Sequence, residues 1–118
     1  MTLTYSDHAR LDERSLALHG LVAKKLAAKP LLIEIARENL RRWQHANDVV
    51  VPAFVEWKAI LNGPFDLVVR ILTERTENAQ RLRQSSPFAG LLTESERKAI
   101  YESYSARTYH PGSQRNFG

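Results

Sequence analysis

Residues 81 to 97 read RLRQSSPFAGLLTESER, and this stretch predicts a sharp corner between two helices. Proline restricts the residue before it to an extended conformation, so Pro87 requires the preceding helix to end near Ser85. Phe88 supplies an apolar anchor, and Gly90 permits a tight backbone turn. The stretch therefore predicts a helix–loop–helix corner held in place by a buried phenylalanine.

The second half of the same stretch predicts where the next helix begins. Thr93 and Glu96 have the spacing of a capping box, in which each side chain binds the backbone N–H of the other residue. The helix that follows has an apolar side formed by Ile100, Tyr101 and Tyr104.

Several polar side chains of this stretch are not needed for a corner. Guanidinium, amide and hydroxyl groups at one helix end suit a phosphate or carboxylate ligand. Arg81 and Arg83 stand two residues apart, however, and such residues do not face each other on a helix. A purely structural corner is the favoured interpretation; for the alternative, a binding site, the predicted partner-binding residues are Arg81, Arg83, Gln84, Ser85, Ser86 and Phe88.

Prolines upstream of the corner divide the chain into segments of ordinary helical length. The predicted helices cover residues 11 to 28, 30 to 45, 52 to 61, 64 to 72, 74 to 84, and a last segment after residue 93. Their apolar residues recur every three or four positions, as in Leu18, Leu21, Val22 and Leu26, or Leu32, Ile33, Ala36, Leu40 and Trp43. The sequence predicts an all-α fold, a compact bundle of five or six short helices.

The break between the fourth and fifth helices is assigned to the TERT sequence at residues 73 to 76. The apolar stripe stops at Leu72, and Thr73 is predicted to cap the helix that follows. One continuous helix over residues 64 to 84 is the alternative.

A chain of 118 residues predicts one domain. Residues 11 to 104 are assigned to the helical domain and residues 1 to 10 to an N-terminal arm. Residues 105 to 118 contain no Leu, Ile, Val or Met, so they are expected to form a flexible tail unless a partner holds them.

Composition and charge suggest a cytoplasmic protein. There are no cysteines, the first residues lack the apolar core of a signal peptide, and no apolar run is long enough to cross a membrane. Residues 1 to 62 hold nine basic and seven acidic side chains, and residues 63 to 118 hold eight and six. The net charge of +4 is thus spread, whereas a nucleic-acid site needs a patch.

The histidines give little support for an enzyme. Those at positions 8, 19, 45 and 110 form no HExxH or HxxxH pair, so no metal or other cofactor is expected. Arg14 and His19 match the short R-x4–6-H pattern of HEPN ribonucleases, but their spacing sets them about 140° apart on a helix. The prediction is a non-enzyme with His19 on the surface, and the ribonuclease is kept as an alternative.

A nucleic-acid-binding regulator is the second alternative. It requires a helix with exposed base-reading side chains. The fifth helix is the candidate, because its polar residues repeat every three positions: Arg75, Asn78, Arg81 and Gln84.

The core RLRQSSPFAG-x-L-T-x-x-ER, with LDERSLALH near the N-terminus, resembles a group of small bacterial proteins of unassigned role over residues 11 to 104. Lys98 replaces the aromatic residue that usually follows ER. The resemblance associates the chain with toxin–antitoxin-like gene pairs, as the antitoxin or accessory member. It implies a non-enzymatic protein-interaction module whose partner is a protein such as a cognate toxin; a homodimer is a further expectation.

Overall fold

A computed structural model of the chain describes residues 5–105, with side chains from residue 7 onward. This part is all-α and contains no strand, which confirms the predicted bundle of short helices. The helices are α1 (Tyr5–Ala28), α2 (Ile33–His45), α3 (Pro52–Leu61), α4 (Phe65–Thr73), α5 (Glu77–Arg83) and α6 (Glu94–Ser103). A 3-10 turn over Pro30–Leu32 leads into α2.

α1 begins earlier than predicted, so the second half of the expected N-terminal arm is helical. Arg10 holds this added part of the helix in place. Its guanidinium donates to the Tyr104 backbone oxygen at 3.0 Å and pairs with Asp7 one turn earlier. At the other end of the chain, the predicted tail lies outside the described residues except for Ser105.

The core lies where α1 packs against α4, α5 and α6, and where α3 packs against α2 and α4. Its fully enclosed side chains include Leu26, Trp57, Val68, Leu72 and Leu82. Trp57 is held by a hydrogen bond as well as by packing, since its indole N–H donates to the Leu82 carbonyl at 2.8 Å. This bond fixes α3 against the end of α5.

The buried stripe of α1 is rotated relative to the predicted one. Val22 and Leu26 are buried as expected, but Leu18 and Leu21 are only half-buried. His19 and Ala23 take the inner positions instead. The prediction of a surface His19 is therefore wrong.

The break between α4 and α5 is confirmed, but the predicted cap is wrong. Thr73 is the last residue of α4, and its hydroxyl donates to the Val69 carbonyl. Thr76, the second threonine of TERT, caps α5 by accepting from the Ala79 N–H at 3.1 Å. The start of α6 is as predicted: Thr93 and Glu96 form a complete capping box.

No helix within residues 5–105 is both long enough and apolar enough to cross a bilayer.

Candidate functional site

The stretch from residue 85 to residue 92 forms the predicted corner between α5 and α6. Phe88 is buried and packs edge-on against Trp57, with 5.7 Å between ring centroids. Gly90 has a φ of 93°, a conformation that glycine adopts without steric cost. From α2, Asn39 donates to the Pro87 carbonyl at 2.8 Å and to the Ala89 carbonyl at 2.9 Å. The corner is thus held by α3 through the Phe88 ring and by α2 through Asn39.

Arg83, one of the predicted partner-binding residues, faces the interior. Its Nη1 donates to the carbonyls of Ile71 at 2.8 Å and Glu74 at 2.7 Å. These groups lie at the C-terminal end of α4, where carbonyls lack partners within the helix. Burial lowers the pKa of the guanidinium, which nevertheless stays charged at neutral pH. Arg83 therefore joins α5 to the end of α4.

Arg81 faces solvent and is paired with α3. Its guanidinium makes two bonds to the Glu56 carboxylate, at 2.8 and 2.9 Å, and a third to Asn78. The bond from Arg81 lowers the pKa of Glu56. The charge that a ligand would need from Arg81 is already balanced by a neighbour.

The remaining residues of the predicted set complete the corner. Gln84 is exposed, and the two serines are half-buried. The Ser86 hydroxyl accepts from the Phe88 N–H at 3.3 Å, inside the turn itself. The structure therefore does not bring the six predicted residues together on one surface, because Arg83 and Phe88 point inward.

The two residues of the ribonuclease pattern do not share a site either. The Arg14 guanidinium lies over the Tyr101 ring, 4.4 Å from its centroid. His19 is buried, and its Nδ1 lies 2.7 Å from the Ser15 carbonyl oxygen. A carbonyl can only accept, so Nδ1 carries the hydrogen. Burial lowers the pKa of His19, which favours the neutral ring.

The predicted nucleic-acid face of α5 is largely occupied by internal pairs. Arg75 lies just before the helix and pairs with Glu13 of α1. Asn78 accepts from Arg81, which is held by Glu56. Gln84 is the C-cap residue of the helix. Three of the four side chains therefore bond to the protein, and the exposed Gln84 remains beside them.

A cavity of about 510 Å³ lies elsewhere, in a groove between α2 and α3. We call it the α2–α3 groove. Its apolar lining consists of Leu40, Val50, Phe54, Val55 and Leu61, and its charged lining consists of Arg37, Arg41 and Lys58. Gln44 and Asn62 stand at its ends. Trp43 packs beside it on Phe54, with 5.9 Å between ring centroids.

The groove exposes apolar side chains that the core does not use. Val50 is 69% exposed and Val55 is 55% exposed. Sequence reasoning did not single them out, although DVVVPAFV at residues 48 to 55 carried a signal. Its apolar residues stand side by side and cannot all face one core.

Among residues 7–105, no three histidine, aspartate or glutamate side chains cluster so as to hold a metal ion. Comparisons with models of protein families, with curated proteins and with solved structures gave no match for this chain.

Proposed function

We propose that this protein is a protein-interaction module that engages its partner through the α2–α3 groove. The observation that carries the proposal is the pair of half- to two-thirds-exposed valines, Val50 and Val55, beside an apolar cavity. Apolar side chains grouped in a concave site favour a ligand that removes them from water.

The contacts of the corner support the same choice of surface. Arg83 and Phe88 are used in holding the bundle together, and Arg81 is balanced by Glu56. The groove, in contrast, has an apolar lining that no other element among the described residues covers. The resemblance to members of toxin–antitoxin-like gene pairs makes a cognate toxin the first partner to test, with this chain as the antitoxin or accessory member.

The test is co-expression with the product of the adjacent gene, followed by purification through a tag on this chain. We expect a stable complex for the wild type and loss of the complex for Val55→Asp, since a carboxylate would be placed in the apolar lining of the groove. A wild-type chain that purifies without that product overturns the proposal for this partner.

A neighbouring valine provides the matched control. Val49 is 70% exposed, as Val50 is, but it does not line the groove. We expect Val50→Asp to weaken the complex and Val49→Asp to leave it intact. Circular dichroism of each variant checks that the helices are preserved. Equal weakening by both substitutions would contradict the assignment of this surface.

A further inference from the structure

The two walls of the α2–α3 groove are single helical faces. The α2 wall carries Arg37, Leu40, Arg41 and Gln44, which follow one another at spacings of three, one and three residues. Such residues share one side of a helix. The α3 wall repeats the arrangement with Phe54, Val55, Lys58, Leu61 and Asn62. The groove therefore runs along the helices rather than across them.

The length of the groove follows from the helix rise. Arg37 and Gln44 mark its two ends and are seven residues apart, which corresponds to about 10 Å, or about two helical turns. At one end, Arg37 donates to the Leu61 carbonyl at 2.7 Å and to Asn62. At the other, Gln44 donates to the Val49 carbonyl at 3.1 Å. The Arg37 bonds link the two walls, and the Gln44 bond ties α2 to the loop that leads into α3, so the groove is formed before a ligand arrives.

The charges that line the groove are all positive. Arg37, Arg41 and Lys58 line it, and no carboxylate does. Glu34 and Glu38 pair with the two arginines from beside the groove. These pairs join residues three apart on one helix, unlike the two-bond pair of Arg81 with Glu56 between two helices, and surface pairs of this kind are weak, so a ligand carboxylate can replace them. The side-chain ammonium of Lys58, at an exposed position, has no ionic or hydrogen-bonding partner within residues 7–105.

We propose that the α2–α3 groove binds a short amphipathic helix of the protein partner, with an apolar stripe flanked by Glu or Asp. An apolar stripe of about two turns matches the floor in length, and flanking carboxylates match the three cations in sign. This inference rests on the proposed function and adds the chemical character of the partner segment.

The probes are two synthetic peptides of about 16 residues, each held helical by a side-chain cross-link because short helices are unstable in water. Both carry the same leucine stripe, flanked by Glu in one and by Lys in the other. Fluorescence anisotropy with the full chain measures their affinities. We expect the acidic peptide to bind at least about tenfold more tightly, and its affinity to fall as salt is raised.

Charge reversal in the groove separates this preference from the overall positive charge of the protein. We expect Arg41→Glu with Lys58→Glu to weaken the acidic peptide and to favour the basic one. The control is Arg70→Glu with Lys24→Glu, which changes the net charge equally. Arg70 pairs with a glutamate one turn away, and Lys24 is exposed on α1. The control should leave the preference of the wild type unchanged.

Failure of this inference is distinguishable from failure of the proposed function. If Val55→Asp abolishes the partner complex but the groove charge reversal does not affect it, the interaction surface stands and the acidic helix is wrong. Equal affinity for the acidic and the basic peptide would likewise contradict the acidic helix. Tight binding to vesicles of anionic lipid or to duplex DNA, lost on the groove charge reversal while neither peptide binds, would overturn the proposal in favour of those ligands.

Discussion

Arg83 follows Arg81 by two residues on α5, yet the two guanidinium groups lie in opposite environments. The Arg81 side chain is 50% exposed and meets Glu56, whereas Arg83 is 4% exposed and binds two carbonyls at the end of α4. Their contributions to stability should therefore differ sharply, although the residues are chemically identical.

We expect Arg83→Ala to lower the free energy of unfolding by about 2–4 kcal/mol, because the Ile71 and Glu74 carbonyls lose their donor inside the protein. Arg81→Ala serves as the control and should leave the urea midpoint nearly unchanged, because its pair with Glu56 is on the surface. Urea unfolding followed by circular dichroism measures both. Similar midpoints for the two variants would show that Arg83 does not anchor α4.

The corner depends on Asn39 of α2. We expect Asn39→Ala to lower the free energy of unfolding by about 1–3 kcal/mol, because the Pro87 carbonyl, in a buried bond, and the Ala89 carbonyl, in a part-buried one, lose their donor. Asn39→Asp should cost more, since a carboxylate would then face two carbonyl oxygens. Asn47→Ala, at an exposed position after α2, provides the comparison. Thermal unfolding in which the alanine variants at 39 and 47 behave alike would rule out this role for Asn39.

The threonines at positions 73 and 76 distinguish the observed cap of α5 from the predicted one. Thr76→Ala removes the bond accepted from the Ala79 N–H and should cost about 1 kcal/mol. Thr73→Ala removes only a bond to a carbonyl within α4 and should cost less. Chemical denaturation of the two variants gives the comparison. A larger loss at position 73 would contradict the observed cap.

Acid should destabilise the protein through His19. Burial, with a smaller contribution from the charge of Arg83, lowers its pKa in the folded state below the ordinary value of 6.5. The unfolded chain then binds more protons between the folded pKa and 6.5, so stability is full above that value and falls as the pH drops through this window.

The measurement is the free energy of unfolding from urea titrations at pH values between about 7.5 and 5, a range that spans the ordinary titration of histidine. We expect His19→Gln to be less stable at neutral pH and to show a smaller slope over this range than the wild type. His45→Gln, at an exposed position, is the control and should keep the slope. An unchanged slope in His19→Gln would assign the acid sensitivity to other groups.

The helices and their boundaries were largely predictable because local rules set them. The prolines, the break after Leu72 and the capping box at Thr93 act over a few residues, and each predicted a feature of the structure. The earlier start of α1 was missed because it depends on Arg10 reaching Tyr104 at the far end of the described chain.

The three polar residues that are buried within residues 7–105 were harder to predict. His19, Asn39 and Arg83 each occupy a position three or four residues from buried apolar neighbours, as His19 does with Val22 and Ala23. This spacing is typical of the inner face of a helix. Polar side chains are nevertheless expected to face solvent unless they have hydrogen-bonding partners inside the protein. The carbonyls that bind Asn39 and Arg83 become their neighbours only after folding, so the sequence did not show them.

The candidate site was not predicted for a related reason. The groove walls come from two helices whose relative placement is set by packing, including that of Trp43 on Phe54. Sequence reasoning could weigh the exposed polar pattern of residues 81 to 88, but it could not show which apolar residues the core would leave uncovered.

The path of the corner is held by the buried Phe88, by Gly90 and by the two carbonyls that bind Asn39. Such a corner identifies chains that share an architecture without stating what they recognise. Positions 41, 50, 55 and 58 are exposed, so we expect substitutions there to have little effect on the bundle. Two proteins with the same corner can therefore diverge in partner, and their specificities are best compared at those four positions.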